Sequence, residues 1–366
     1  MINVLHVMGR MAPGGTEHQL LGMLEAAHGR HWAASLCVLS TGWELTERAR
    51  AAGVPVFELD GAGKADPRRG VALRRLAAGF DLVHASLPGA SAVARLAAFG
   101  LKRPAIVVSE RGVDDQRSVL SLLNRLLGPM TDAFIGNSPA VIEFIRAVSR
   151  IRTDDSRLAL IPNGLDGEIF RVGGPSTPRS VRRLIAVGRL IPSKRFELAI
   201  GVLRRLRQDI DAELLIAGDG PERSRLETLA RDLPVSFLGH VSNRHALADL
   251  LRSADVLLMT SNSEGHPNAV LEAVACGIAV VATDIPGNRA AAGAGVVLVG
   301  DGEEEWRGAV LDALAYGSVP SAQVADRVVT FDEVARRHLA VFDSALVRHS
   351  RRSARSRAEL SPEHGP

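Results

Sequence analysis

A chain of 366 residues is too long for one ordinary core and fits two domains of typical size. Its 46% apolar and 23% charged content reads as globular, and a formal net charge of +3 with a pI near 9.3 leaves room for a basic face toward phosphates, anionic lipid or nucleic acid. Its two cysteines, Cys37 and Cys276, form no metal-spacing motif and fit a reducing, cytosolic compartment, and no apolar run approaches the roughly 20 residues that span a bilayer.

The N-terminal INVLHVM reads as a buried strand, entered without the apolar core and cleavage site of a signal peptide. PGGTEHQLLGMLEAAHG then opens a helix with apolar residues at helical spacing. SLCVLS, VPVFEL, DLVHAS, AIVVSE and AFIGNS are further strands with helical stretches among them, the pattern of a parallel sheet covered on both faces. The Gly-, Pro- and Ser-rich FRVGGPSTPRSV, Phe170 to Val181, marks a break, so a first domain is expected over 1–174. A second α/β series follows over 175–345. Its strands are RRLIAVGRL, AELLIAGDG, VSFLGHV, VLLMTS, AVVATD and GVVLVG; its helices include FELAIGVLRRLRQ, PERSRLETLARDL, ALADLLRSA and NAVLEAVACG. The last helix is a candidate to pack back on the first domain, and the basic, aperiodic 346–366 reads as a disordered tail. Open α/β sheets bind ligands at the carboxyl ends of their strands, so two such domains face one cleft suited to a two-substrate enzyme.

The stretch SEGHPNAVLEAVACGIAVVATD, Ser263 to Asp284, carries two glutamates with seven residues between them. Glu264 follows a strand. Pro267 and Asn268 suit a helix start whose free N–H groups favour an anion, and Glu272 lies about one turn inside. Two carboxylates there suit two pairs of vicinal hydroxyls; on spacing alone, a loop acid and an ordinary helix glutamate fit as well.

The stretch resembles the EX7E motif of retaining family-4 glycosyltransferases, which have the GT-B fold. Glu264, Gly265, Pro267, Asn268, Leu271, Glu272, Ala273, Ala275, Gly277, Val280, Val281, Ala282 and Thr283 match, while His266 stands where Phe is common and Ile278-Ala279 replace an apolar-Pro pair. The likeness runs from Asn3 to about Asp343. It implies two doubly wound Rossmann-like domains facing a central cleft, with the acceptor on the first and a nucleotide-sugar donor on the second. It also implies that Glu264 contacts the donor sugar and Glu272 the ribose. The turn and helix start of Gly265, His266, Pro267, Asn268 and Ala269 would hold sugar and phosphate.

Other motifs follow the same resemblance. In AVGRLIPSKRFELAI, Arg189 and Lys194 would neutralise the leaving diphosphate; a solvated loop Arg and Lys is the plain alternative. Gly218 shapes the GDGP turn, and Gly239 in FLGHV matches a glycine near the base, though a structural turn fits Gly239 almost as well. Gly14 and Gly15 match a Gly-Gly-x-Glu loop at the donor phosphate, with Glu17 and His18 starting the helix. Ser138, Asn163 and Gly164 are expected at the cleft or between domains. Two departures stand out. Arg111 occupies the slot of a histidine common in the family, where a fixed cation could stabilise leaving charge, and Ala290 to Ala292 occupy a region where many members carry a glutamate. His84 matches the first histidine of an H-x-H whose second is Ser86, and is either catalytic or a hydrogen-bonded structural residue.

Asp209-Ile210-Asp211 reads as a helix terminus rather than a metal site, and no His/Cys cluster has ligand spacing, so neither metal nor cofactor is expected beyond the nucleotide-diphosphate sugar. The expected partners are that donor and a glycan or lipid-linked glycan acceptor, in surface polysaccharide or glycolipid assembly. RRGVALRRLAAG (68–79) and SVLSLLNRLLGPM (118–130) pair apolar helix with arginine; membrane contact on the inner face and a core helix with a solvated basic edge both fit. Nucleic acid is not the expected partner, because no recognised module or interleaved aromatics accompany the basic residues. A catalytically weak or inactive nucleotide-sugar-binding homologue is the alternative function, supported by Arg111.

Overall fold

The computed structural model describes residues 1–59, 66–102, 104–113, 119–152, 155–173, 180–293, 295–317 and 328–359, with 119–121 and 355–359 described by backbone alone. The chain divides into two contact units, Met1–Gly164 with Phe331–Pro366, and Leu165–Thr330.

The first unit is a parallel sheet of β1 (Asn3–Met8), β2 (Ala33–Val38), β3 (Val56–Glu58), β4 (Leu82–Ser86), β5 (Ala105–Glu110), β6 (Ala133–Gly136) and β7 (Leu158–Leu160), in the order β3-β2-β1-β4-β5-β6-β7. β4 and β5 are buried along their whole length, which is why they read as unbroken apolar runs. Helices Pro67–Ala77, Pro88–Ala98, Val119–Leu127 and Pro139–Ser149 pack side by side. Several starts are capped as their sequences demand: Asp66 accepts from the Arg68 N–H, and Ser138, expected at the cleft, accepts from the Val141 N–H.

The last helix runs Phe331–Glu359 and packs on the helix Gly15–Ala27 and on β5 and β6. The disordered tail expected from residue 346 is therefore corrected over 346–359. Val334, Ala335, His338, Phe342 and Ala345 form a buried stripe, and beyond it Arg348 donates to the carbonyls of Asp132 and Ser156. Residues 360–366 lie outside the described residues. The helix start is seated by two glycines. A Cβ on Gly22 or Gly164 would meet the Phe331 ring at 2.5 or 2.6 Å.

The second unit is a parallel sheet of β8 (Arg182–Val187), β9 (Ala212–Ala217), β10 (Val235–Gly239), β11 (Val256–Met259), β12 (Ala279–Thr283) and β13 (Val296–Val299), in the order β10-β9-β8-β11-β12-β13. One apolar cluster forms around Trp306, Leu203 and Ile216, and another around Leu251, Val270 and Leu257. The break expected near 174 falls inside this unit, because the contacts divide at Gly164/Leu165 and the chain returns at Phe331; residues 174–179 of that stretch lie outside the described residues. Strand order reverses between the neighbours β8 and β11, so the loops leaving them share the carboxyl edge of the sheet.

Candidate functional site

In the second unit those two loops are stitched together. Val187 ends β8, and Gly188 to Ile191 lead into the turn Pro192–Lys194; Met259 ends β11, and Thr260 to Pro267 lead into the helix Asn268–Ala275. The Thr260 hydroxyl donates to the Lys194 carbonyl at 2.8 Å, and the Asn262 N–H to the Ser193 carbonyl at 3.0 Å. The Lys194 ammonium then pairs with the Glu264 carboxylate, both side chains mostly buried. Arg189 is exposed and makes no ion pair with a described residue. Among the described residues, the loop edge thus holds one neutralised pair and one cation outside any ion pair.

Glycines let the backbones come this close. A Cβ on Gly218 would lie 1.8 Å from the Gly188 carbonyl oxygen, and one on Gly220 2.4 Å from that of Leu190. Gly218, expected to contact a donor, therefore packs beneath the Gly188–Leu190 loop. Its N–H donates to the Gly239 carbonyl at 2.8 Å, and Gly239 itself has φ +72°. Gly287 went unread in the sequence. Its Cβ would sit 2.1 Å from the Glu264 carbonyl oxygen, so only glycine lets the helix start Pro286–Ala291 support that residue. The Pro-Gly pair after β12 was the available signal.

Past Glu264, Gly265 and Pro267 are buried, His266 is half-buried, and Asn268 and Ala269 form the first turn of the helix. Glu272 is 3% exposed, and its Oε1 takes a 2.5 Å bond from the Arg244 guanidinium, which lies 4.5 Å over the Phe170 ring. Arg244 is the other residue sequence reasoning missed. It opens the helix Arg244–Arg252 beside the Asn243 cap, where a cation opposes the helix dipole; that conflict was its signal. Asp209 and Asp211 each pair with an arginine, Arg307 and Arg207.

In the first unit, Gly14 and Gly15 open the helix Gly15–Ala27 without a side-chain cap, and the Glu17 carboxylate folds back to within 2.5 Å of where a Gly14 Cβ would be. Gln19 holds Gly164 by two bonds, 2.7 and 2.8 Å. Arg111 leaves the end of β5 and donates to Asn163 Oδ1 at 2.9 Å, which also accepts from Asn137. Burial pulls the Arg111 pKa down to about 10, against the attraction of Glu17, so it stays a cation at neutral pH.

His84 does not join them at a surface. It is 1% exposed within β4, a burial that fits the structural one of its two expected roles. The Trp32 indole N–H can only donate, and it points at His6 Nε2 at 3.0 Å. The neutral His6 proton is then on Nδ1, which donates to His84 Nδ1 at 3.0 Å; His84 in turn donates from Nε2 to Ser109 at 2.6 Å. His338 Nδ1 donates to the Val334 carbonyl at 2.8 Å, leaving its Nε2 buried without a hydrogen-bond partner among the described residues. Burial pushes His6 and His338 down to about 3, and pushes His84 well down with help from His6, His338 and Arg111. Among the described residues no group of three His, Cys, Asp or Glu side chains is placed to hold a metal, and no helix is long and apolar enough to cross a membrane.

Known proteins share both halves. The model of Glycosyltransferase Family 4 matches residues 13–168, and that of Glycosyl transferases group 1 matches 181–316. A GDP-mannose-dependent alpha-(1-6)-phosphatidylinositol dimannoside mannosyltransferase of Mycobacterium tuberculosis is 44% identical over 107 residues, 29% of this chain and 28% of that protein. A D-inositol 3-phosphate glycosyltransferase of Paenarthrobacter aurescens is 32% identical over 198 residues, 49% of this chain and 48% of that protein. The matches thus span less than half the length of these curated relatives. A glycosyltransferase from Rickettsia africae superposes with TM-score 0.77 at 15% identity, covering 94% of this chain and 98% of that one; Anabaena HepE, solved with UDP-glucose, gives 0.72 at 19%, covering 98% and 100%. At those identities the likeness carries the fold, the two doubly wound units of GT-B glycosyltransferases. The chain belongs to glycosyltransferase family 4.

Proposed function

We propose that the chain moves a sugar from a nucleotide-diphosphate sugar onto an acceptor hydroxyl with retention of anomeric configuration. The carrying observation is the Lys194–Glu264 pair with the exposed Arg189 on the same loop edge, and Glu272 one turn into the next helix. A diphosphate meeting Lys194 and Arg189 takes over the cation, and Glu264 is released to accept bonds from sugar hydroxyls. Glu272, held by Arg244 through one oxygen, keeps the other for a ribose. In the chemical step the acceptor oxygen bonds to C1 on the face the leaving group departs. The C1–O bond to phosphate breaks, and the acceptor proton passes to the departing phosphate oxygen. Protein cations carry the leaving charge without a bound metal, so chelator should not abolish turnover.

The proposed acceptor is a glycan or lipid-linked glycan in surface polysaccharide or glycolipid assembly, in line with a relative named for phosphatidylinositol dimannoside. The test is thermal shift and slow hydrolysis across UDP-, GDP- and ADP-sugars, followed by NMR of the first-formed anomer. Stabilisation and hydrolysis by one donor with retained configuration supports the reading; no response to any donor sinks it. Arg111, tied to Asn163 in the slot of a common histidine, favours one second reading, a donor-binding homologue with weak turnover, whose mark is stabilisation without hydrolysis in the presence of acceptor extracts.

A further inference from the structure

Arg111, Asn137 and His338 share one neighbourhood in the first unit. Glu110 ends β5 opposite Gly136 at the end of β6, so Arg111 and Asn137 are the first residues past two paired strand ends. The last helix packs on both strands and carries His338, 1% exposed, whose ring lies 5.5 Å from that of His84 in β4. The charge of Arg111 bears on both histidines. Arg111 itself is tied by two amides. Its Nη1 donates to Asn163 Oδ1 at 2.9 Å, and Asn137 Nδ2 donates to that same oxygen at 3.3 Å and to the Arg111 carbonyl at 3.4 Å. Two acceptors around one end of the Asn137 amide identify that end as the nitrogen.

What the network leaves over is chemically specific. Arg111 Nε, Asn137 Oδ1 and His338 Nε2 are each buried without a hydrogen-bond partner among the described residues. The first is a donor and the second an acceptor. His338 donates from Nδ1 to the Val334 carbonyl, so its neutral ring presents Nε2 as an acceptor too. Such atoms in a native core call for a partner. A carboxylate or phosphate would meet two acceptors, and an ammonium would meet the charge of the guanidinium. A substrate hydroxyl has one hydrogen to give where two are needed, and the three atoms are closed to solvent. A water matches the set. Its oxygen accepts from Arg111 Nε–H, and its two hydrogens go to Asn137 Oδ1 and His338 Nε2.

We infer that one buried water joins Arg111, Asn137 and His338, and that His338 is thereby a positioning residue for Arg111, reaching it from the last helix. A guanidinium held at Nη1 alone can swing about that bond; held at Nε as well, its plane is set. The test is a crystal structure of the full chain at a resolution that orders waters, with nitrogen-15 NMR of the arginine Nε–H groups. Arg111→Lys assigns the Arg111 signal by its loss. The expected results are a water within hydrogen-bond distance of all three atoms and an Arg111 Nε–H that exchanges slowly with solvent. His338→Leu should speed that exchange roughly tenfold or more. His338→Gln, whose amide oxygen can accept the same bond, should restore much of the protection. In donor-turnover assays kcat should fall roughly tenfold in the leucine variant, with donor KM unchanged, and recover in the glutamine variant. The kinetic readout rests on the proposed sugar transfer. Density and exchange do not, so a chain without turnover would fail that reading and leave this one to be decided by them. A site without the water, or with the three atoms paired directly to one another, overturns the inference. So does Arg111 Nε–H exchange that is equal in the wild type and His338→Leu. Should circular dichroism show the leucine variant unfolded, the water and the slow exchange in the wild type decide alone.

Discussion

Acid should loosen the first unit well before it protonates the carboxylates. His6 accepts from the Trp32 indole N–H, so a second proton on His6 would set two donors face to face in the core. Burial holds His6 and His338 at about 3 when folded, against an ordinary value of 6.5 once unfolded. A depressed histidine contributes stability that is complete above 6.5 and drains as pH falls toward the folded value. Within that window each such histidine removes about 1.4 kcal/mol per pH unit. Between pH 7 and 5 that integrates to about 2 kcal/mol apiece, or about 4 kcal/mol for His6 and His338, with His84 acting in the same sense. His349 works the other way, because Asp132 raises its pKa, and offsets part of the loss. The sum is a large share of an ordinary domain's about 5–15 kcal/mol. The assay is urea unfolding at pH 7, 6 and 5, for the wild type and for His338→Leu. The leucine variant should show a shallower pH slope by about 1.4 kcal/mol per unit below pH 6. Stability flat from pH 7 to 5, or an identical slope in the variant, would refute the assignment of these histidines as buried and neutral.

Three further outcomes follow from the second unit. Gly218→Ala forces a Cβ to within 1.8 Å of the Gly188 oxygen, and should lower unfolding stability by about 2–4 kcal/mol in urea titration, whereas Gly308→Ala, in a helix with nothing within 4 Å, should gain about 0.5–1 kcal/mol. Arg244→Ala strands the buried Glu272 and should destabilise by about 3 kcal/mol; adding Glu272→Gln should recover part of that loss, and a strictly additive double mutant would argue against the pair. Lys194→Ala should slow donor turnover about 10²–10³-fold in initial-rate assays, with Arg231→Ala as an unaffected control; equal rates would remove Lys194 from the chemistry.

The readable parts of this chain share one property: their signal is local. β4, β5, β11 and β12 are buried on both faces, so each appears as an apolar run that needs no knowledge of its neighbours. β7, with only Leu158 to Leu160 and none of them buried, offers no such run and went unread. The basic end was misread for a related reason. Its composition is that of a solvated tail, and the partners that order it, Asp132 and the carbonyl of Ser156, lie about 200 positions earlier in the chain. His84 illustrates the same limit inside the core: its neighbours His6, Ser109 and His338 come from three other elements, and only their assembly turns a catalytic candidate into a packed, neutral ring.

The candidate site divides along the same line. Glu264, Lys194 and Glu272 can be placed from sequence because strand ends and helix starts fix where such side chains emerge, while their expected roles rest on the family resemblance. Arg244 and Gly287 are not, because each acts on a residue more than twenty positions away. Both nevertheless break a local rule. An arginine at the first position of a helix opposes the dipole, and a glycine at the start of another forgoes helix propensity. A folded chain keeps such conflicts where a tertiary contact outweighs them: for Gly287 the contact is the Glu264 backbone, and for Arg244 it is the Glu272 carboxylate together with the Phe170 ring. The two misfits in local grammar therefore support, from opposite sides, the two glutamates of the Ser263–Asp284 stretch, which is where strain against propensity is expected to gather.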